Sequence, residues 1–106
     1  MSDKNAKGAK MSVIVTEAMA MLAQKLDGRG FDGTARFVLE GEGAFVIDAS
    51  GVRAGDDAAD VTLSASPRTF KAILDGDLNP TAAFMTGKLS VDGDMGMAMK
   101  LASILG

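Results

Sequence analysis

With 106 residues, 47% of them hydrophobic and 24% charged, the chain has the composition of one globular domain with little room for a second core. The absence of cysteine and histidine excludes disulfides, zinc sites of the usual Cys/His kind and nucleophile–histidine pairs. A net charge of −3 and the lack of tryptophan and tyrosine argue against nucleic acid, which needs a basic face and stacking platforms.

The first ten residues carry three lysines and one aspartate and lead into no signal-peptide core, so residues 1–10 are expected to be a flexible tail. The longest apolar run, Ala18–Ala23, is far too short to span a bilayer, and the cytoplasm is the default location. The domain proper is expected over residues 11–106. Met11, Ile14, Val15, Ala18, Met19, Leu22 and Leu26 fall on one face at helical spacing, with Gly28 and Gly30 to stop the helix. Such a face normally packs on a core; Met11, Met19 and Met21 lining a plastic pocket is the less favoured use.

From Phe31 the period changes to two. Phe31, Gly33, Ala35, Phe37 and Leu39 alternate with polar or outward residues, a half-buried strand. Glu40–Gly43 is a turn, Ala44–Asp48 the returning strand of a hairpin, and Val52–Arg53 at most a short edge strand. Val61, Leu63 and Ala65 mark another strand after an acidic loop. Ser66-Pro67 then opens a helix to Asp75, closed by Gly76, and Asn79-Pro80 opens a second one, ended by Gly87. Lys88–Asp92 is a strand, Gly93 a turn, and Asp94 caps a terminal helix. The order predicts an α+β domain, one sheet with helices against a face.

Candidate chemistry is sparse. The aspartates at 56, 57 and 60, at 75 and 77, and at 92 and 94 sit at turns or caps, where aspartate is locally favoured, and lack the ligand spacing of a calcium loop. No carboxylate pair is flanked by groups that would hold a sugar. Lys88 and Lys100 lie in apolar surroundings but are expected to snorkel outwards rather than serve as buried nucleophiles. No enzyme activity, catalytic residue, metal or cofactor is therefore expected.

The terminal helix carries the functional argument. From Met95 to Leu105 its apolar positions cover an arc of roughly 220°, and only Gly96, Lys100 and Ser103 share the rest. Docking on a core needs only a little over about 100°. The excess must be covered by the protein's own core, a second chain or an apolar ligand, and three methionines in five positions favour a deformable ligand site.

Ala83-Phe84, Gly87-Lys88-Leu89, Gly93, Met95-Gly96 and Ala98-Met99-Lys100-Leu101 resemble the C-terminal signature of the sterol carrier protein-2 family. The likeness extends back through Ala59–Ser64, Phe70, Gly76 and Asn79-Pro80, roughly the last half of the chain, while the first half matches in element order alone. The resemblance implies a mostly antiparallel sheet of about five strands with helices on one face, enclosing a hydrophobic tunnel. It implies a carrier of sterols, fatty acids or fatty acyl-CoA, and phospholipids. Carried over by motif, the tunnel wall would draw on Phe84, Met85, Met95, Met99 and Leu101; by position, on Phe70, Leu74, Ile104 and Leu105. Met97 stands where leucine is usual. The chain lacks a Ser-Lys-Leu type peroxisomal ending, so a stand-alone form of bacterial type is expected. The partners expected are a lipid or fatty acyl ligand and no nucleic acid; transient membrane contact and a homodimer are both compatible with the pattern. The alternative is an interaction or dimerisation module that uses the apolar terminal helix without a lipid.

Overall fold

The computed structural model describes residues 13–28 and 30–105. The expected flexible tail and Met11 lie outside the described residues. Helix α1 spans Val13–Leu26 and buries Val15, Ala18, Leu22 and Leu26 at helical spacing. Ile14 shared that face in the sequence pattern but is exposed, because it stands at the edge of the stripe beside a cavity.

Five strands form one sheet: β1 Ala35–Leu39, β2 Gly43–Asp48, β3 Gly51–Ala54, β4 Val61–Ala65 and β5 Leu89–Gly93. Their spatial order is β3-β2-β1-β4-β5. The hairpin β1–β2 places Phe37 directly opposite Phe45, and the rings stack at 5.0 Å between centroids and 4° between planes. β4 does not continue that meander. It pairs with β1 in parallel, Phe37 opposite Leu63, so the centre of an otherwise antiparallel sheet is parallel. Edge strand β3 is real but short, as Val52-Arg53 suggested.

The strand expected from Phe31 begins only at Ala35. Phe31 is buried nonetheless, its N–H donating to the Asp48 carbonyl at 2.9 Å. Thr34 is tied chiefly to Asp60: its N–H donates to Asp60 Oδ2 at 3.2 Å, and its carbonyl accepts from Asp60 N–H at 3.0 Å and, at 3.4 Å, from Val61 N–H at the start of β4. With Gly33 at φ +127 between them, the chain swings out of strand geometry before β1 starts.

Ala35, Phe37, Leu39, Phe45, Ile47, Val61, Leu63, Ala65 and Leu89 point to one face, and all helices pack there in a single buried cluster. On the opposite face Val46 is fully buried between its register neighbours Arg36 and Arg53, whose stems are apolar. Arg36 pairs with Asp56 at 3.0 Å, and Arg53 pairs with Asp48 at 3.0 Å and Asp57 at 2.8 Å. The Arg53 hydrogen bond, helped by the Ser50 N–H, holds the Asp48 carboxyl below the ordinary carboxylate range.

Helix α2, Pro67–Leu74, is capped by Ser66, whose Oγ accepts from Thr69 N–H at 3.2 Å. Helix α3, Pro80–Met85, is capped by Asn79, whose Oδ1 accepts from Thr81 N–H at 2.8 Å and Ala82 N–H at 3.2 Å. Replacing Asn79 by alanine is expected to lower stability by about 1 kcal/mol, read as a shift in denaturant midpoint at constant slope. An unchanged midpoint would show that the cap is dispensable. Helix α4 spans Met95–Leu105, and among the described residues no helix is long and apolar enough to cross a membrane.

Candidate functional site

Three local features set α4 on the sheet. Asp94 Oδ1 accepts the Met97 N–H at 3.1 Å, and the Asp94 N–H donates to the Asp60 carbonyl at 3.0 Å, tying the helix start to the residue that precedes β4. Ala98, Leu101 and Leu105 form its buried stripe. Met97 packs half-buried against the core and lies over Gly33. What is left over is the flank of the wide apolar arc: Met95 and Met99 are 49% and 64% exposed. Lys100 and Ser103 are exposed on the remaining side, with Lys100 Nζ 3.9 Å from Asp32.

That flank closes over a small cavity of about 60 Å³. β4 and β5 supply Leu63 and Leu89, α3 supplies Pro80 and Phe84, and α4 supplies Met95 and Met99. No charged side chain lines it, and Phe84 at its rim is 41% exposed.

A larger cavity, about 370 Å³, opens between α1 and α2. Its walls are Ile14, Ala18 and Met21 from α1, Leu39 from β1, and Phe70 and Leu74 from α2. Phe70 also leans on Phe37, with ring centroids 5.8 Å apart, so this wall is braced by the centre of the sheet. Glu17, Arg68 and Lys71 stand among its lining residues as the charged members.

The nine residues singled out from the sequence are thus divided among several places. Phe84, Met95 and Met99 surround the smaller cavity; Phe70 and Leu74 line the larger one. Met85 is 79% exposed and lines neither. Leu101 and Leu105 are buried in the core, and Ile104 packs half-buried on it beside a groove it shares with Lys25, Phe31 and Lys100. Ile14, Leu39 and Met21 complete the larger cavity, and none of them was among the nine. For Met21 there was a signal, its methionine character on α1; for Ile14 and Leu39 the pattern indicated only packing.

The acidic clusters have structural occupations. Asp56 and Asp57 hold arginines, Asp60 holds Thr34, and Asp75 pairs with Lys71 at 3.3 Å. Among the described residues no group of three metal-ligating side chains comes together.

The sequence pattern of the SCP-2 sterol transfer family matches residues 16–106. Hydroxysteroid dehydrogenase-like protein 2 of Xenopus tropicalis is 43% identical over 82 residues, 70% of this chain and 20% of that protein. Human sterol carrier protein 2 is 43% identical over 49 residues, 46% of this chain and 9% of that protein. The chain therefore spans a fifth or less of the length of these curated relatives. Among solved structures, the sterol carrier protein domain 2 of Helicoverpa armigera superposes with a TM-score of 0.72 at 30% identity, covering 99% of this chain and 92% of its own. The sterol carrier protein-2 of Aedes aegypti in complex with palmitate gives 0.72 at 25% identity, with 91% and 97% covered. Both superpose on this chain's α+β fold along most of their length, and the family match along nearly all of the described chain identifies it as a member of the SCP-2 sterol transfer family.

Proposed function

We propose that residues 11–106 form a lipid carrier that takes up sterols, fatty acids or fatty acyl-CoA, or phospholipids by their apolar parts, between the helices and the sheet, and releases them to an acceptor. The observation that carries this reading is the wholly uncharged cavity under α4, which combines buried Leu63 and Leu89 with the exposed Phe84, Met95 and Met99. Family membership and the palmitate bound by the Aedes aegypti relative support it. The mechanism is solvation: each methylene moved from water into such surroundings gains about 0.8 kcal/mol.

Size distinguishes the two cavities. A space of about 60 Å³ amounts to roughly two water molecules at liquid density, whereas ligand sites run to roughly 300–1,000 Å³. The cavity between α1 and α2, at about 370 Å³, falls in that range as it stands. The smaller one accepts an acyl chain or ring once Met95 and Met99 rotate outward, which their unbranched and already exposed side chains allow. The tunnel in this reading is thus opened by its ligand at the α4 end.

Delipidated protein is expected to bind a fluorescent fatty acid or sterol saturably. Met99→Asp should weaken that binding about tenfold, in line with the roughly 1.5–3 kcal/mol that covering such a side chain is worth, while Lys100→Asp changes it little. Because Met99 is largely exposed, the substitution should leave the fold intact. Folded protein that shows no saturable uptake would refute the reading.

A further inference from the structure

The larger cavity is apolar inside and charged at its edge, and that polarity describes the ligand. Going inward from α2, Phe70 and Leu74 face the space across from Ala18 and Met21 of α1, with Leu39 of β1 among the walls. Arg68 and Lys71, three residues apart and so on neighbouring positions of α2, also belong to its lining. Lys71 shares its charge with Asp75 on the next turn, at 3.3 Å. Arg68 is exposed and forms no ion pair among the described residues. Its five N–H donors are therefore available at the edge of an apolar space. On the α1 side the charge is negative, from Glu17.

We propose that the cavity between α1 and α2 holds a single acyl chain whose anionic head, a carboxylate or phosphate, is bound at the edge by Arg68 with Lys71 beside it. This inference rests on the lipid-carrier reading and adds to it the residues that hold the polar head and the orientation of the chain. A planar guanidinium takes a carboxylate or phosphate through two parallel N–H bonds, which fixes direction as well as charge. Glu17 repels an anion from the α1 side and steers the head towards α2. A volume of about 370 Å³ lies at the low end of ligand sites, suited to one chain more than to two. A neutral lipid would enter the same apolar space without a partner for its polar end at Arg68.

The test compares cis-parinaric acid with its methyl ester on the delipidated full chain, at a pH where the carboxyl is ionised. Arg68→Glu should weaken the acid about tenfold at low salt and leave the ester within about twofold, as loss of a charge-assisted hydrogen bond plus a new repulsion requires. Glu17→Gln should tighten the acid and not the ester, and the Arg68 effect should shrink as salt rises. Displacement of the probe by palmitate and by palmitoyl lysophosphatidate separates the heads: the competitor that loses more potency in Arg68→Glu carries the head that Arg68 binds. Equal losses for acid and ester, or no loss for either, would overturn the head-group assignment while leaving lipid binding in place. Absence of binding for both ligands to folded wild-type protein would instead refute the carrier reading itself.

Discussion

Replacing Phe37 by alanine is expected to lower the stability of the protein by about 3–5 kcal/mol, the range for truncating a large buried aromatic. Phe37 is 1% exposed at the centre of β1, where it faces Phe45 across the hairpin, Leu63 across the parallel pair and Phe70 from α2. Few positions in the chain join as many layers. The stacked pair adds roughly 0.5–1.5 kcal/mol beyond area burial, so Phe37→Leu should recover only part of the loss. Chemical denaturation measures both, with the slope unchanged. A loss under about 1 kcal/mol would mean that the core closes over the gap, contrary to the close packing expected of a braced sheet centre. Because Phe37 supports Phe70, the alanine variant should also loosen the wall of the larger cavity and weaken acyl-chain binding in the protein that remains folded.

Gly93→Ala is expected to cost about 2–3 kcal/mol, and by a different route. Gly93 closes β5 with φ +111, a conformation that a side chain strongly disfavours. A Cβ there would also run into the Asp60 carbonyl and come within 3.0 Å of the Val61 Cα. Those backbone atoms belong to the junction that receives the Asp94 N–H and seats the start of α4. The strand end must shift, and α4 shifts with it. Stability and lipid uptake should therefore fall together in Gly93→Ala, whereas Met99→Asp should reduce uptake alone. Thermal unfolding alongside a ligand titration checks the contrast; a Gly93→Ala protein with an unchanged melting temperature would show that the junction tolerates the displacement.

Much of the fold was legible because its instructions are short-range. Ser66-Pro67, Asn79-Pro80 and Asp94 announce helix starts, and each side chain makes the cap hydrogen bond that its position implies. Alternation in Ala35–Leu39 and Val61–Ala65 assigns their inward faces correctly. Phe31 shows the limit of that reasoning: it continues the alternation and is buried, yet Gly33 and the Thr34–Asp60 hydrogen bonds take its segment out of the sheet. The parallel pairing of β1 with β4 was equally out of reach. It depends on which strand edge is free after the hairpin forms, and nothing local encodes it.

The candidate site divides along the same line. The excess apolar arc of α4 and the family motif are both properties of consecutive residues, and they point to Phe84, Met95 and Met99, which the fold gathers around one cavity. Leu101 and Leu105 belong to the same helix and the same arc but fall on the stripe that the sheet covers. Which part of a wide arc meets the core and which is left exposed at the cavity rim depends on how Asp94 and Gly93 dock the helix. The larger cavity exists only because α1 and α2, more than 40 residues apart in sequence at their nearest, come to lie side by side over Leu39.

The helix starts, the inward faces of Ala35–Leu39 and Val61–Ala65, the exclusion of cysteine and histidine chemistry, and the family follow from the amino-acid sequence. Each rests on residue identity or on spacing within one turn or one strand. The tertiary structure alone decided the parallel centre of the sheet, the division of α4 between core and rim, and the charged edge at Arg68 over an apolar space. Those are contacts between distant segments, set by how whole faces pack against one another and by what that packing leaves unfilled.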